Sequence, residues 1–120
     1  MNSEKFVDEI IKERVKIESI ESVLRLLEKP GGRHPNKDII ENSNWYNDLS
    51  ENDKIFVRRV ISKAVDMTLF AFLGMLDGIG FINNNGDYEL YYIDKKTKER
   101  ILLNNPDEME LHALYNAVEE

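Results

Sequence analysis

The sequence predicts an α+β fold on three observations. Apolar residues recur at helical spacing over residues 3–29 and again over 50–76. From Gly80 onward the period shifts from 3.6 to 2, and helical and strand-like stretches stay segregated along the chain instead of alternating. The expected order is a long N-terminal helix, a loop, a buried central helix, a small antiparallel β-meander or hairpin, and a C-terminal helix. With 120 residues, 42% hydrophobic and 32% charged, the chain has the size and composition of one globular domain.

The first helix rests on Phe6, Ile10, Ile17, Ile20, Leu24 and Leu27, which fall in one stripe of a 3.6-residue period. Ser3 is the expected N-cap, and Pro30-Gly31-Gly32 stops the helix. The same stripe alternates steps of four and three with Glu13 inside it, so this face also offers a seam for a second copy, which leaves monomer and homodimer both open. Residues 30–49 are polar and turn-rich. Within them Pro35 opens a helical turn or two that Ile39 and Ile40 pin to the core. Trp45 and Tyr46 then stand just before the next helix, either covering the end of the core or offering an aromatic contact to a partner.

The second helix begins at Ser50 as N-cap, with Asp53 three residues later, and its inner stripe is Val57, Ile61, Val65, Leu69, Phe72 and Leu76. Its last ten residues, MTLFAFLGML, carry no charge on any face. This predicts that the C-terminal half is buried all round, with Phe72 a dominant core residue; ten residues are too few to cross a membrane. Asp77-Gly78 ends it. Gly80–Ile82, Tyr88–Ile93 and Arg100–Leu103 are the strand candidates, separated by turns at Asn83–Asp87 and Asp94–Lys98. Asn105 is then expected to cap a final helix with Pro106 at its first position and Glu108 closing a capping box, its apolar face being Leu111, Leu114, Tyr115 and Val118.

Few residues suggest chemistry. Cysteine is absent, which removes disulfides, thiolate nucleophiles and Cys-containing zinc sites. Asn83, Asn85, Gly86 and Asp87 echo the middle of a calcium loop, but Phe81 and Tyr92 stand where its first and last carboxylates belong. His34 and His112 do not follow any metal-ligand spacing, so neither a metal nor another cofactor is expected. His112 lies one turn after Glu108 and pairs with it on an exposed face. Arg33 and His34, in a loop with Gly31 and Gly32, are candidates to hold an anion. Asp66, beside a wholly apolar turn, demands a basic partner such as Lys63 or backbone donors; failing those, it reads as a partly buried acid of functional use.

Charge is the more informative signal. The formal net charge of −7 is the wrong sign for a protein that neutralises phosphates, so nucleic acid is not an expected partner. Residues 1–60 hold 11 Lys and Arg against 12 Asp and Glu and residues 61–120 hold 5 and 11, and from Asn104 onward there is no Lys or Arg. Glu108, Glu110 and Glu119 are therefore candidate contacts for a basic protein. Acidic residues at positions 4, 8 and 9 exclude a signal peptide's apolar core, and a cytoplasmic location is expected. In its size, acidity, lack of cysteine, and the segments WYNDLS and DMTLFAFLGMLDG, the chain resembles small acidic bacterial immunity proteins that neutralise toxins, and other small bacterial proteins of uncharacterised role. That resemblance implies a non-enzymatic protein-binding module acting on a basic toxin or nuclease domain. The alternatives are a small-molecule or anion-binding protein using the Arg33/His34 loop, and a homodimeric adaptor joined through the first helix.

Overall fold

In a computed structural model, which describes residues 1–79 and 86–117, the chain is α+β with a long N-terminal helix, a two-stranded antiparallel sheet and a C-terminal helix. The elements are α1 (Ser3–Lys5), a π-helical stretch (Phe6–Lys16), α2 (Ile17–Glu28), α3 (Lys37–Asn47), α4 (Glu51–Leu76), β1 (Tyr91–Ile93), β2 (Arg100–Leu102) and α5 (Leu111–Asn116). Two compact units divide the chain: Met1–Val15 with Met67–Glu120, and Lys16–Asp66. No helix among the described residues is long and apolar enough to cross a membrane. The strand expected at Gly80–Ile82 and most of the turn after it lie outside the described residues.

In the first unit the core is Val7, Ile11, Leu73, Leu111 and Tyr115, with Phe6, Leu69, Leu76 and Leu114 packed against it at partial burial. The N-terminal cap is Asn2, not Ser3: its Oδ1 accepts from Lys5 N–H at 2.7 Å, while Ser3 is buried and donates from its hydroxyl to Glu108 Oε2 at 3.3 Å. The 3.6-residue stripe is also displaced. In the π-helical stretch each N–H bonds five residues back, which widens the turn, and the inward side chains become Val7 and Ile11.

The C-terminal end of α4 departs most from expectation. Only Leu73 and Gly74 are buried, Leu69 and Leu76 pack on the core, and Met67 and Phe72 stand 63% and 53% exposed. Phe72 is thus an outward residue. An uncharged helix permits burial on every face but does not supply the elements to cover each one. Helix α4 stops as expected: Gly78 at φ +85° follows Asp77, Ile79 N–H reaches Gly74 C=O at 2.8 Å and Gly78 N–H reaches Met75 C=O at 3.1 Å, the paired bonds of a Schellman cap.

The hairpin registers Tyr91 with Leu102, Tyr92 with Ile101 and Ile93 with Arg100. Beyond it, Leu103 N–H bonds Leu90 C=O, and Asn104 continues the ladder with its side chain: Oδ1 accepts from Leu90 N–H at 2.8 Å. Asn104 Nδ2 donates to the carbonyls of Leu76 and Tyr88, both at 2.7 Å, fastening the end of α4 to the hairpin. At the tip, Asp94 Oδ1 accepts from the N–H groups of Lys96 and Thr97, which, Thr97 foremost, hold its carboxyl below the usual carboxylate range.

In the second unit, α3 packs on α2. Instead of a turn or two after Pro35, the chain forms eleven helical residues that run through the aromatic pair. Neighbouring helical positions point about 100° apart, so Tyr46 is buried while Trp45 stands 56% exposed. Asn47 Nδ2 donates to Glu28 C=O at 3.1 Å and to Ser43 Oγ at 3.3 Å, supplying a donor to the unpaired C-terminal carbonyls of α2. Ser50 Oγ accepts from Asp53 N–H at 3.1 Å, as its capping role requires.

The Tyr46 hydroxyl is buried with no hydrogen-bond partner among the described residues, while Lys54 Nζ lies over its ring at 5.4 Å. A buried, unpaired hydroxyl costs stability, and the aromatic body alone fills the site. We expect Tyr46→Phe to be neutral or to stabilise the protein by about 1 kcal/mol in urea denaturation; a loss of that size would instead show the hydroxyl to be engaged.

Candidate functional site

Among the described residues, a polar cluster forms where α4 ends and α5 begins. Asp77 is the C-cap of α4, and its side chain, 3% exposed, turns toward α5. Oδ1 accepts from Leu111 N–H at 3.1 Å and Oδ2 from His112 N–H at 2.9 Å. The first two orphan donors of α5 are thereby satisfied from a residue 34 positions away. An acid at a helix C-terminus opposes the helix dipole; at the N-terminus of a second helix it is favoured, and Asp77 occupies both positions at once.

His112 completes the cluster. Its Nδ1 lies 2.7 Å from Asp77 Oδ2 and 3.8 Å from Glu110 Oε2, and its ring meets the edge of Phe70 at 5.6 Å between centroids. An ionised carboxylate only accepts, so in the contact with Asp77 the proton sits on Nδ1. The expected pairing of His112 with Glu108 is therefore replaced. The reason is the start of α5, at Leu111 and not at Pro106: Asn105 forms a local turn, its Oδ1 accepting from Asp107 N–H at 3.0 Å, and the helix begins only where the Asp77 carboxylate meets it.

At the other end of α5, Lys12 Nζ donates to Leu114 C=O at 3.4 Å, lies 5.8 Å above the Tyr115 ring, and pairs with Asp8 at 3.6 Å. The six-residue helix is thus held by a buried anion at its N-terminus and a cation at its C-terminus, the polarity its dipole favours.

Of the residues singled out in the sequence, Glu110 and His112 meet in this cluster. Arg33 and His34 are both exposed in the loop between α2 and α3. Trp45 is exposed, whereas Tyr46 belongs to the interior and offers no surface to a partner. Glu108 and Glu110 are exposed in the turn before α5, and Glu119 lies outside the described residues. Asp66 has its basic partner, though not Lys63: Lys16 Nζ stands 2.8 Å from Oδ1, both side chains about one-third exposed. Such a pair contributes little to stability in water.

Asp77 was the residue missed. The tripeptide Leu76-Asp77-Gly78 reads as a helix stop, and its second role depends on a helix 34 residues downstream that local pattern does not bring near. Comparison with protein families, with curated proteins and with solved structures finds no match to this chain.

Proposed function

We propose that the chain is a non-enzymatic protein-binding module that acts by stoichiometric contact, in the manner of the immunity-type proteins its sequence resembles. The observation that carries this reading is the outward face of Met67–Leu76. Met67 and Phe72 are more than half exposed on a stretch without a single charged side chain. Isolated surface apolar residues are ordinary, but Met67 and Phe72 flank the two edges of an exposed helical surface that carries no charge, and Met and aromatic side chains are enriched in interface cores. Exposed Asp107, Glu108 and Glu110 in the same unit favour a partner with basic groups, through encounter rate and salt dependence more than through affinity.

The test is a photo-cross-linking amino acid at position 72, expressed in cells of the source, with the same group at exposed Ala113 as reference. An adduct with one other protein that forms from position 72, fails from position 113 and disappears in a Met67→Asp background supports the reading. An adduct of twice the chain's mass overturns it in favour of a second copy, and adducts equal from both positions overturn it as well.

A further inference from the structure

We propose that Asp77, Glu110 and His112 form a binding site for one borderline transition-metal dication, with Zn²⁺ as the natural probe. The three residues each place a ligand atom within 4.8 Å of the others. They combine one imidazole nitrogen with two carboxylate oxygens, a donor set suited to zinc and its neighbours; calcium and magnesium prefer oxygen alone.

Geometry and charge both favour the site. Atoms sharing a dication at about 2.0–2.2 Å stand about 3–4 Å from one another, which the 3.8 Å between His112 Nδ1 and Glu110 Oε2 already satisfies. The 2.7 Å between Nδ1 and Asp77 Oδ2 is set by the proton they share. For a metal to take the place between them, the neutral ring carries its single N–H hydrogen on Nε2, so that Nδ1 offers a lone pair to the ion beside the Asp77 carboxylate.

Two of the three ligands are preorganised. The Asp77 carboxylate is nearly wholly buried and aimed by two backbone N–H groups, and the His112 ring is fixed by its own helix and the Phe70 edge. Glu110 is half exposed, able to swing inward while leaving the remaining coordination positions to water. Among the described residues neither carboxylate has a Lys or Arg partner, so a dication meets two carboxylates with no Lys or Arg to displace. This site is independent of the outward apolar face of α4, and either can fail without the other.

The experiment is calorimetric titration of the full chain with ZnCl₂, paired with ¹⁵N NMR of the imidazole nitrogens. One Zn²⁺ per chain is expected, with the Nδ1 resonance of His112 shifting and that of His34 staying in place. Glu110→Gln changes an exposed side chain and leaves the fold intact; it should weaken binding by about tenfold or more, the level at which even outer-shell partners of a metal act. His112→Gln should abolish it, and His34→Ala should leave it unchanged. Absence of one-to-one binding in the wild type overturns the site, as does binding that Glu110→Gln leaves within about twofold of the wild type. Should His112→Gln not fold, the Glu110 and His34 variants decide alone.

Discussion

Leu73→Ala is expected to cost about 3 kcal/mol, while Phe72→Ala, one residue away on the same helix, should stay within about 1 kcal/mol. Leu73 is fully buried against Val7, Ile11, Leu111 and Tyr115, and its removal leaves a cavity among side chains that come from two other elements, the π-helical stretch and α5. Phe72 is the larger side chain, and transfer arithmetic based on residue type alone would rank it first. Its exposure of 53% reverses that order, because only area removed from water contributes. Guanidinium denaturation of the two variants, read by circular dichroism, checks the ranking. Equal losses would mean that the outward face of α4 is covered in solution, and a concentration-dependent midpoint for Phe72→Ala would point to a second copy as the cover.

The parts of this fold that could be read from the sequence are those decided within a few residues. Pro30-Gly31-Gly32 and Gly78 end helices through their backbone preferences and Ser50 begins one through its hydroxyl, and the structure places helix boundaries there. The hairpin was legible for the same reason, around its polar turn, although its strands are shorter than the expected Tyr88–Ile93 and Arg100–Leu103, pairing Tyr91–Ile93 with Arg100–Leu102.

What was not legible depends on remote partners or on a face chosen by the fold. Residues 37–47 are rich in Asn, a weak helix former, and became helical through packing on α2 and the tie from Asn47 to Glu28. The uncharged end of α4 contained no signal as to which of its faces would be covered. Trp45 and Tyr46 read as one unit, but the helix sends them apart, and only Trp45 remains at the surface. The polar cluster itself joins positions 77 and 112, whose separation no period in the chain encodes.

Substituting Asp77 is expected to be the most damaging single change outside the apolar core. Asp77→Ala strands two backbone donors of α5 and the Nδ1 proton of His112 in one step, at a side chain that is 3% exposed. An unsatisfied buried donor costs roughly 1–3 kcal/mol, and water reaching the gap recovers part of that, so the net loss should be about 3 kcal/mol. A six-residue helix has no stability of its own, and Leu111 and Tyr115 leave the core if it unravels. His112→Phe tests the same logic from the other side. It keeps an aromatic ring against Phe70 and both backbone bonds, replaces the polar imidazole with an apolar ring, and should cost about 1 kcal/mol. Hydrogen exchange separates the two: the amides of Leu111 and His112 should lose protection in Asp77→Ala and retain most of it in His112→Phe. If both variants instead lost stability equally, with those two amides still protected, the carboxylate would be serving the imidazole and not the helix, and α5 would owe its start to its apolar face alone.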